Sequence, residues 1–345
     1  MIHTAAPSAM ARETAEAPAA VASMLQRNRH RFEEIVRALR SRSPTHIITS
    51  ARGSSDHAAS YLKYLAEIRL GLPCCSLGAS VVSIYRAELH LKDSVLITIS
   101  QSGQSPDILS LQAHARRAGI LSIAVTNQET SPLAREADIC LPLHAGREKS
   151  PAATKTFIAT VALAAKLIAC WAGDAGLHQA VDDLPQALEK ALRADWQAAH
   201  ELLAGAGSLY VIGRGPSFAI AQEAALKLKE TSALHAEPFS AAEVMHGPLE
   251  LVGRNFPVFA FCPADDAFET TLQTIAHMRS AGARIIAASQ EPVGDISLSY
   301  IATGDPLLDS ISLIQSFYAM AEALALRRGR DPDKPRLLSK ETATL

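Results

Sequence analysis

HARRAGILSIAVTNQE (114–129) and HMRSAGARIIAASQE (277–291) follow one pattern. Each runs from a helical stretch through Ala-Gly into an apolar strand, then into a polar turn ending Gln-Glu. Their leading histidines, His114 and His277, lie 163 positions apart. A second pair repeats at nearly the same offset: SARGSSDHAASYLKYLAE (50–67) and GRGPSFAIAQEAALKLKE (213–230), with Arg52 opposite Arg214 and Gly53 opposite Gly215. A repeat this long means duplicated domains rather than a solenoid. Working outward, short β-branched runs alternate with longer helical stretches. HIITS (46–50), VLITIS (95–100), ILSIAVT (120–126) and ICLPL (139–143) read as buried strands, as do LYVIG (209–213), PVFAFC (257–262) and RIIAAS (284–289). Strands alternating with helices imply parallel α/β sheets covered on both faces. The expected organisation is an N-terminal extension (1–29), one copy (30–173), a helical connector (174–191), a second copy (192–330) and a short polar tail (331–345).

The composition narrows the function classes. A chain of 345 residues suggests about two domains. The net charge of −2 gives no global electrostatic case for nucleic acid or a membrane surface. Basic residues from Arg27 to Arg42 are interleaved with Glu33, Glu34 and apolar side chains, which reads as a solvated helix face. The five cysteines are scattered, without CxxC or zinc-finger spacing, as for reduced thiols in a cytoplasmic protein. The N-terminus lacks the order of a signal peptide. FIATVALAAKLIACWAG is interrupted by Lys166 and reads as a buried helix rather than a span.

Three stretches could carry chemistry. QEAALKLKE (222–230) is built of good helix formers. At 100° per residue, Glu223, Lys227 and Glu230 fall at roughly 0°, 40° and 340°, one narrow face, while Lys229 points elsewhere. Alone, such a face could be a solvated Glu–Lys pair worth about 0.2–0.5 kcal/mol. SQSGQSPD (100–107) lies between a strand and a helix. Its hydroxyls, free N–H groups and helix dipole suit an anion; equally, Ser105 or Asp107 could be only an N-cap. ARGSS (51–55) holds the same position one unit earlier, so two serine-rich turns could converge on one phosphate near a switch point. GRGPS lacks that serine density and reads as a cap. HAEPFSAAEVMHGPLELV (235–252) offers His235, Glu237, Glu243 and His246, weak evidence for a metal; His246 sits at a turn. Lys340 lies in the tail, where a lysine is ordinarily solvated.

Taken in order, SQSGQSPD, GRGPSFAIAQEAALKLKE, HAEPFSAAEVMHGPLEL and DPDKPRLLSKETAT resemble the isomerase half of glucosamine-6-phosphate synthase, over about residues 30–345. That half consists of two sugar isomerase (SIS) domains. The resemblance implies an α/β fold of two tandem SIS domains, each a flavodoxin-like parallel sheet sandwiched between helices. Departures accompany it. The glutaminase domain and its N-terminal cysteine nucleophile are missing, Arg52 replaces a smaller residue, AATK (152–155) replaces ASTK, and AEVMHGP replaces GELKHGP. These forms are more similar to stand-alone SIS-domain glucosamine-6-phosphate deaminases.

Carried over, the resemblance gives Ser54, Ser55, Ser100, Gln101, Ser102 and Ser105 to phosphate and nearby hydroxyls, with Ala153 in the substrate-binding set minus its hydroxyl. Glu230 becomes the base moving a proton between C1 and C2, assisted by Lys227, which Glu223 orients. His246 opens the sugar ring, contributed by a neighbouring subunit, so a homodimer is implied. Lys340 engages the open-chain sugar, in the synthase as a Schiff base. The expected protein is a cytoplasmic deaminase–isomerase acting on a small-molecule sugar phosphate, needing no cofactor or metal, and binding neither nucleic acid nor membrane. The rivals are another aminosugar phosphate, deglycation of an amine adduct, the synthetic direction, and a non-catalytic sugar-phosphate sensor. A dehydrogenase is disfavoured: no GxGxxG follows an early strand.

Overall fold

The computed structural model describes residues 6–340. The first five residues of the expected extension and the last five of the expected tail lie outside the described residues. The chain forms two compact units. One comprises Ala19–Gly146 and Thr156–Leu184; the other comprises the chain up to Pro18, Arg147–Lys155 and Pro185–Lys340.

The first unit carries β1 (His46–Ser50), β2 (Cys74–Ser76), β3 (Ser94–Ile99), β4 (Leu121–Thr126) and β5 (Ile139–Pro142). They pair in parallel in the order β2-β1-β3-β4-β5. Every residue of β3 and β4 is buried, as a sheet covered on both faces requires. In chain order the helices before, between and after these strands are α1 (Ala9–Arg27), α2 (Arg29–Arg42), α3 (Ser54–Leu70), α4 (Ser80–Ser83), α5 (Pro106–Arg117), α6 (Pro132–Glu136) and α7 (Lys155–Ala172). α1 begins in the second unit and ends in the first. By length and composition α7 could cross a membrane, yet most of it is buried within the fold. α8 (Ala175–Ala191) passes from the first unit to the second, and α9 (Ala198–Leu203) follows.

The second unit carries β6 (Ser208–Gly213), β7 (His235–Ser240), β8 (Pro257–Cys262), β9 (Arg284–Ser289) and β10 (Ile296–Leu298), with α10 (Pro216–Ser232), α11 (Phe268–Ser280) and α12 (Asp309–Arg327). Its order, β7-β6-β8-β9-β10, is that of the first sheet, again all parallel. Tyr210, Ile212, Val258, Ile285 and Met278 form part of its core. In both sheets the order reverses direction between the first and third strands, so a crevice opens there at the strands' carboxyl ends.

The sequence expectation needs corrections. HAEPFS, absent from the expected strands, is the edge strand β7, where Pro238 is tolerated because an edge leaves a donor unneeded. The three-residue strands β2 and β10, also edges, escaped notice because they are too short for a period. The first residues of α1, which fall within the expected N-terminal extension, group with the second unit. GRGPS caps α10 with Gly215 and no side-chain hydrogen bond; the Ser217 hydroxyl instead accepts from Arg214 N at 2.9 Å and donates to Arg214 O at 2.8 Å.

The repeat extends to backbone detail. Gly53 caps α3 at φ 56, ψ −133, and Gly215 caps α10 at φ 61, ψ −138. Only glycine adopts this region without strain.

Candidate active site

In the first unit the carboxyl ends of the adjacent strands β1 and β3 carry the two serine-rich turns. Arg52 binds them together: its Nε donates to Asp107 Oδ2 at 2.7 Å, and its guanidinium also pairs with that oxygen through Nη2. Asp107 is fully buried in the first turn of α5, and its Oδ1 accepts from Ile108 N at 2.9 Å. The Ser100 hydroxyl accepts from Gly103 N at 3.1 Å, closing the turn. Gly103 has φ 63, and a Cβ there would lie 2.3 Å from Ser131 Oγ, so no other residue fits. Ser105 is the N-cap of α5 by position but its side chain accepts no capping bond. Ser54 and Ser55 start α3, half-buried, and Gln101 and Ser102 are half-buried in the turn. The arrangement offers hydroxyls and a helix N-terminus to an anion.

The second unit holds the charged cluster. α10 packs against β6, β7 and α12. Gly213 ends β6 where a Cβ would lie 2.4 Å from Ser217 O, so glycine lets the helix start against the strand. Along α10, Glu223, Lys227 and Glu230 share one face, as expected, with Glu223 and Lys227 essentially fully buried and Lys229 exposed. Lys227 Nζ donates to Glu230 Oε2 and lies 3.5 Å from Glu223 Oε1. Tyr318 on α12 donates its hydroxyl to Glu223 Oε1 at 3.0 Å. Burial pushes the Glu230 carboxyl above the usual carboxylate range, against the pull of Lys227. Burial works against the charge of Lys227, but the surrounding carboxylates, Glu223 foremost, outweigh it and hold its ammonium above the ordinary lysine value. Burial, with Glu223 beside it, drives the Tyr318 phenol well above its ordinary value.

Lys340 joins this cluster: its Nζ donates to Glu148 Oε2 at 2.7 Å. Glu148 is fully buried, and its Oε1 accepts from Thr154 N at 3.0 Å. Lys340 lowers the Glu230 carboxyl, and Glu148 raises the Lys227 ammonium. Glu230 lines a cleft of ≈ 810 Å³ with Arg330, Lys334, Arg336 and Leu338. Ala153 lies half-buried in the Arg147–Lys155 segment of the same unit.

The structure thus brings Glu223, Lys227, Glu230 and Lys340 together in one unit. It does not join His246 to them. His246 is exposed after the 3-10 turn Glu243–Met245, and its side chain has no hydrogen bond or ion pair among the described residues. Among the described residues no three or more His, Cys, Asp or Glu side chains gather in a way that could hold a metal ion. Sequence reasoning missed Glu148 and Tyr318. Neither carries a motif: Glu148 sits in an irregular stretch, and Tyr318 reads as one more apolar position of a core helix.

Comparison with known proteins agrees with this architecture. The SIS domain family matches residues 41–169 and 202–327. Over 309 residues the chain is 39% identical to glutamine–fructose-6-phosphate aminotransferase (isomerizing) of Aeropyrum pernix, covering 84% of this chain and 49% of that protein. The chain therefore spans about half the length of such relatives. A structure from Silicibacter pomeroyi, provisionally assigned as a phosphosugar isomerase, superposes with TM-score 0.91 at 42% identity, covering 95% of this chain and all of that one. The C-terminal domain of glucosamine-fructose-6-phosphate aminotransferase from Francisella tularensis gives TM-score 0.83 at 26% identity, covering 97% of this chain and 100% of that chain. With two matched segments, two sheets of one strand order and this similarity along its length, the chain belongs to the SIS domain family and carries two such domains in tandem.

Proposed function

We propose that the protein is an aminosugar-phosphate deaminase–isomerase that converts glucosamine 6-phosphate and water to fructose 6-phosphate and ammonia. One observation carries the reading. In the register that pairs Gly53 with Gly215, the positions of Glu223 and Lys227 are held by Tyr61 and Leu65 in the first copy, both fully buried. The fold is therefore satisfied by uncharged side chains at these places. Burying ions instead costs several kcal/mol each before pairing repays it. A function explains charge here better than packing does, and buried, perturbed carboxyls beside a cleft are a common form of general base.

His246, supplied by the second subunit of a homodimer, takes the proton of the C1 hydroxyl and returns one to the ring oxygen. Glu230 removes the C2 proton of the open-chain sugar and delivers it to C1. One proton of the C2 amine passes to the C1 oxygen, so C1 becomes a hydroxymethyl group and C2 an imine; water then adds at C2, and ammonia leaves as the C2 carbonyl forms. Lys227 stabilises the ionised form of Glu230, Glu223 orients Lys227, and Lys340 engages the open-chain sugar. The serine-rich turns hold the phosphate. Support comes from the aminotransferase and phosphosugar names of the relatives, and from a solved relative at low identity, the glucosamine-6-phosphate deaminase of Thermotoga maritima, which shares the fold.

The test is to incubate the protein with glucosamine 6-phosphate and follow ammonia and fructose 6-phosphate together, with galactosamine 6-phosphate alongside. Equal release of both products from glucosamine 6-phosphate supports the reading. Tight binding of a sugar phosphate with no turnover of either substrate points to a sensor and sinks it.

A further inference from the structure

The segment Arg147–Lys155 is held from two sides within the second unit. On one side stands α1. Glu13, buried, accepts from Ser150 N at 3.0 Å through Oε2 and from Lys149 N through Oε1. Lys155 Nζ donates to Glu16 Oε2 at 2.6 Å and to Arg147 O at 2.7 Å. On the other side stands the tail. Asp333 accepts from the first N–H groups of α1, Ala9 N at 2.5 Å and Met10 N at 3.1 Å, and Lys340 ends on Glu148. The tail is thus pinned at two points, and α1 braces both the tail and the segment that receives it.

We propose that Glu148 is a positioning residue for Lys340, fixing the amine beside Lys227 and Glu230, and that α1 sets the place of Glu148 through Glu13. The geometry favours this over a purely structural pair. Glu148 already has a backbone donor in Thr154 N, and its second oxygen meets an amine that is 24% exposed and lies near the end of a polar tail. Fixing such a long side chain and its tail costs conformational entropy, and the return is a defined amine position in the cluster. Small displacements of reacting groups are costly: about 1 Å can lower a rate roughly a hundredfold. The proposal rests on the reading of Lys340 as a site residue.

The experiment separates that reading from this one. Limited acetylation of the full chain without substrate, read by mass spectrometry, compares Lys340 with the exposed tail residue Lys334 in wild type, Glu148→Gln and Glu148→Asp. Folding of each variant is checked by its thermal melt. The expected result is faster modification of Lys340 in Glu148→Gln, about fivefold or more, with Lys334 unchanged and Glu148→Asp intermediate. Kinetics then decide the role. Glu148→Gln should lose roughly tenfold or more in kcat, Glu148→Asp should recover part of it, and Glu148→Gln in a Lys340→Ala background should cost nothing further. Unchanged Lys340 labelling in Glu148→Gln overturns the proposal, whatever the activity. So does an equal loss from Glu148→Gln with and without Lys340. If wild type turns over no aminosugar phosphate, the deaminase reading fails, and altered labelling of Lys340 still supports its placement by Glu148.

Discussion

At the scale of single residues, Lys227 shows how the cluster is balanced. Its ammonium sits among carboxylates in a place closed to water. Removing it takes the ammonium away from the buried Glu223, and breaking a buried pair in this way costs about 3–5 kcal/mol. Lys227→Met should therefore lower the urea-unfolding free energy by that order, while Lys229→Met, on the exposed face, should leave it nearly unchanged. Glu230 gives a pH signature. The ionised carboxylate is the base, and burial raises the carboxyl. The acid limb of kcat/KM should fall as pH drops through a value above the ordinary carboxylate range, since this profile reports the free enzyme. Asp265 gives a second, outside the cluster. Burial pushes it up to about 6. The folded protein binds this proton more tightly than the unfolded chain, so its stability contribution is full below the ordinary carboxylate range and is lost as pH rises through about 6. Asp265→Asn should stabilise the protein at pH 7 but not at pH 4, by about 1 kcal/mol after allowance for solvent screening at a half-exposed group. Thermal melts at both pH values check the sign.

At the scale of elements, the legible parts were those with a period. β1, β3, β8 and β9 announced themselves as uninterrupted apolar runs, and the face of α10 followed from helical spacing alone. β7 did not, because Pro238 and a mixed polar composition are what an edge position permits. Glu148 was invisible for a different reason. Its role depends on contact with Lys340, 192 positions away, and no local pattern encodes such a contact. Glycines mark the turns that matter. Gly53→Ala and Gly215→Ala should each destabilise by about 1–3 kcal/mol, through backbone strain, since nothing crowds either site. Gly103→Ala meets both strain and Ser131. It should weaken sugar-phosphate binding more than either, measured by titration calorimetry.

At the scale of the whole molecule, the duplication was readable from two matched segments, and the two sheets of one order are its physical form. The uneven distribution of polar residues was readable too: serines gather at the turns of the first copy, and Glu223, Lys227 and Glu230 on one helix of the second. What the sequence could not show is that the start of α1 and residues 147–155 fold into the second unit, because long-range exchange of segments leaves no local trace. The exposed position of His246 bears on assembly. If the histidine acts on a partner's substrate, mixing and exchanging two inactive variants, Glu230→Gln and His246→Asn, should restore about a quarter of wild-type activity, since half the dimers are mixed and each has one intact site. No recovery would place His246 in its own subunit's site or outside catalysis. The central claim, that the face of Glu223, Lys227 and Glu230 performs the proton transfer, is met most directly by Glu230→Gln assayed on glucosamine 6-phosphate. The account predicts a fall in kcat of about 10²–10⁴-fold with sugar-phosphate binding retained; a variant as active as wild type would contradict it.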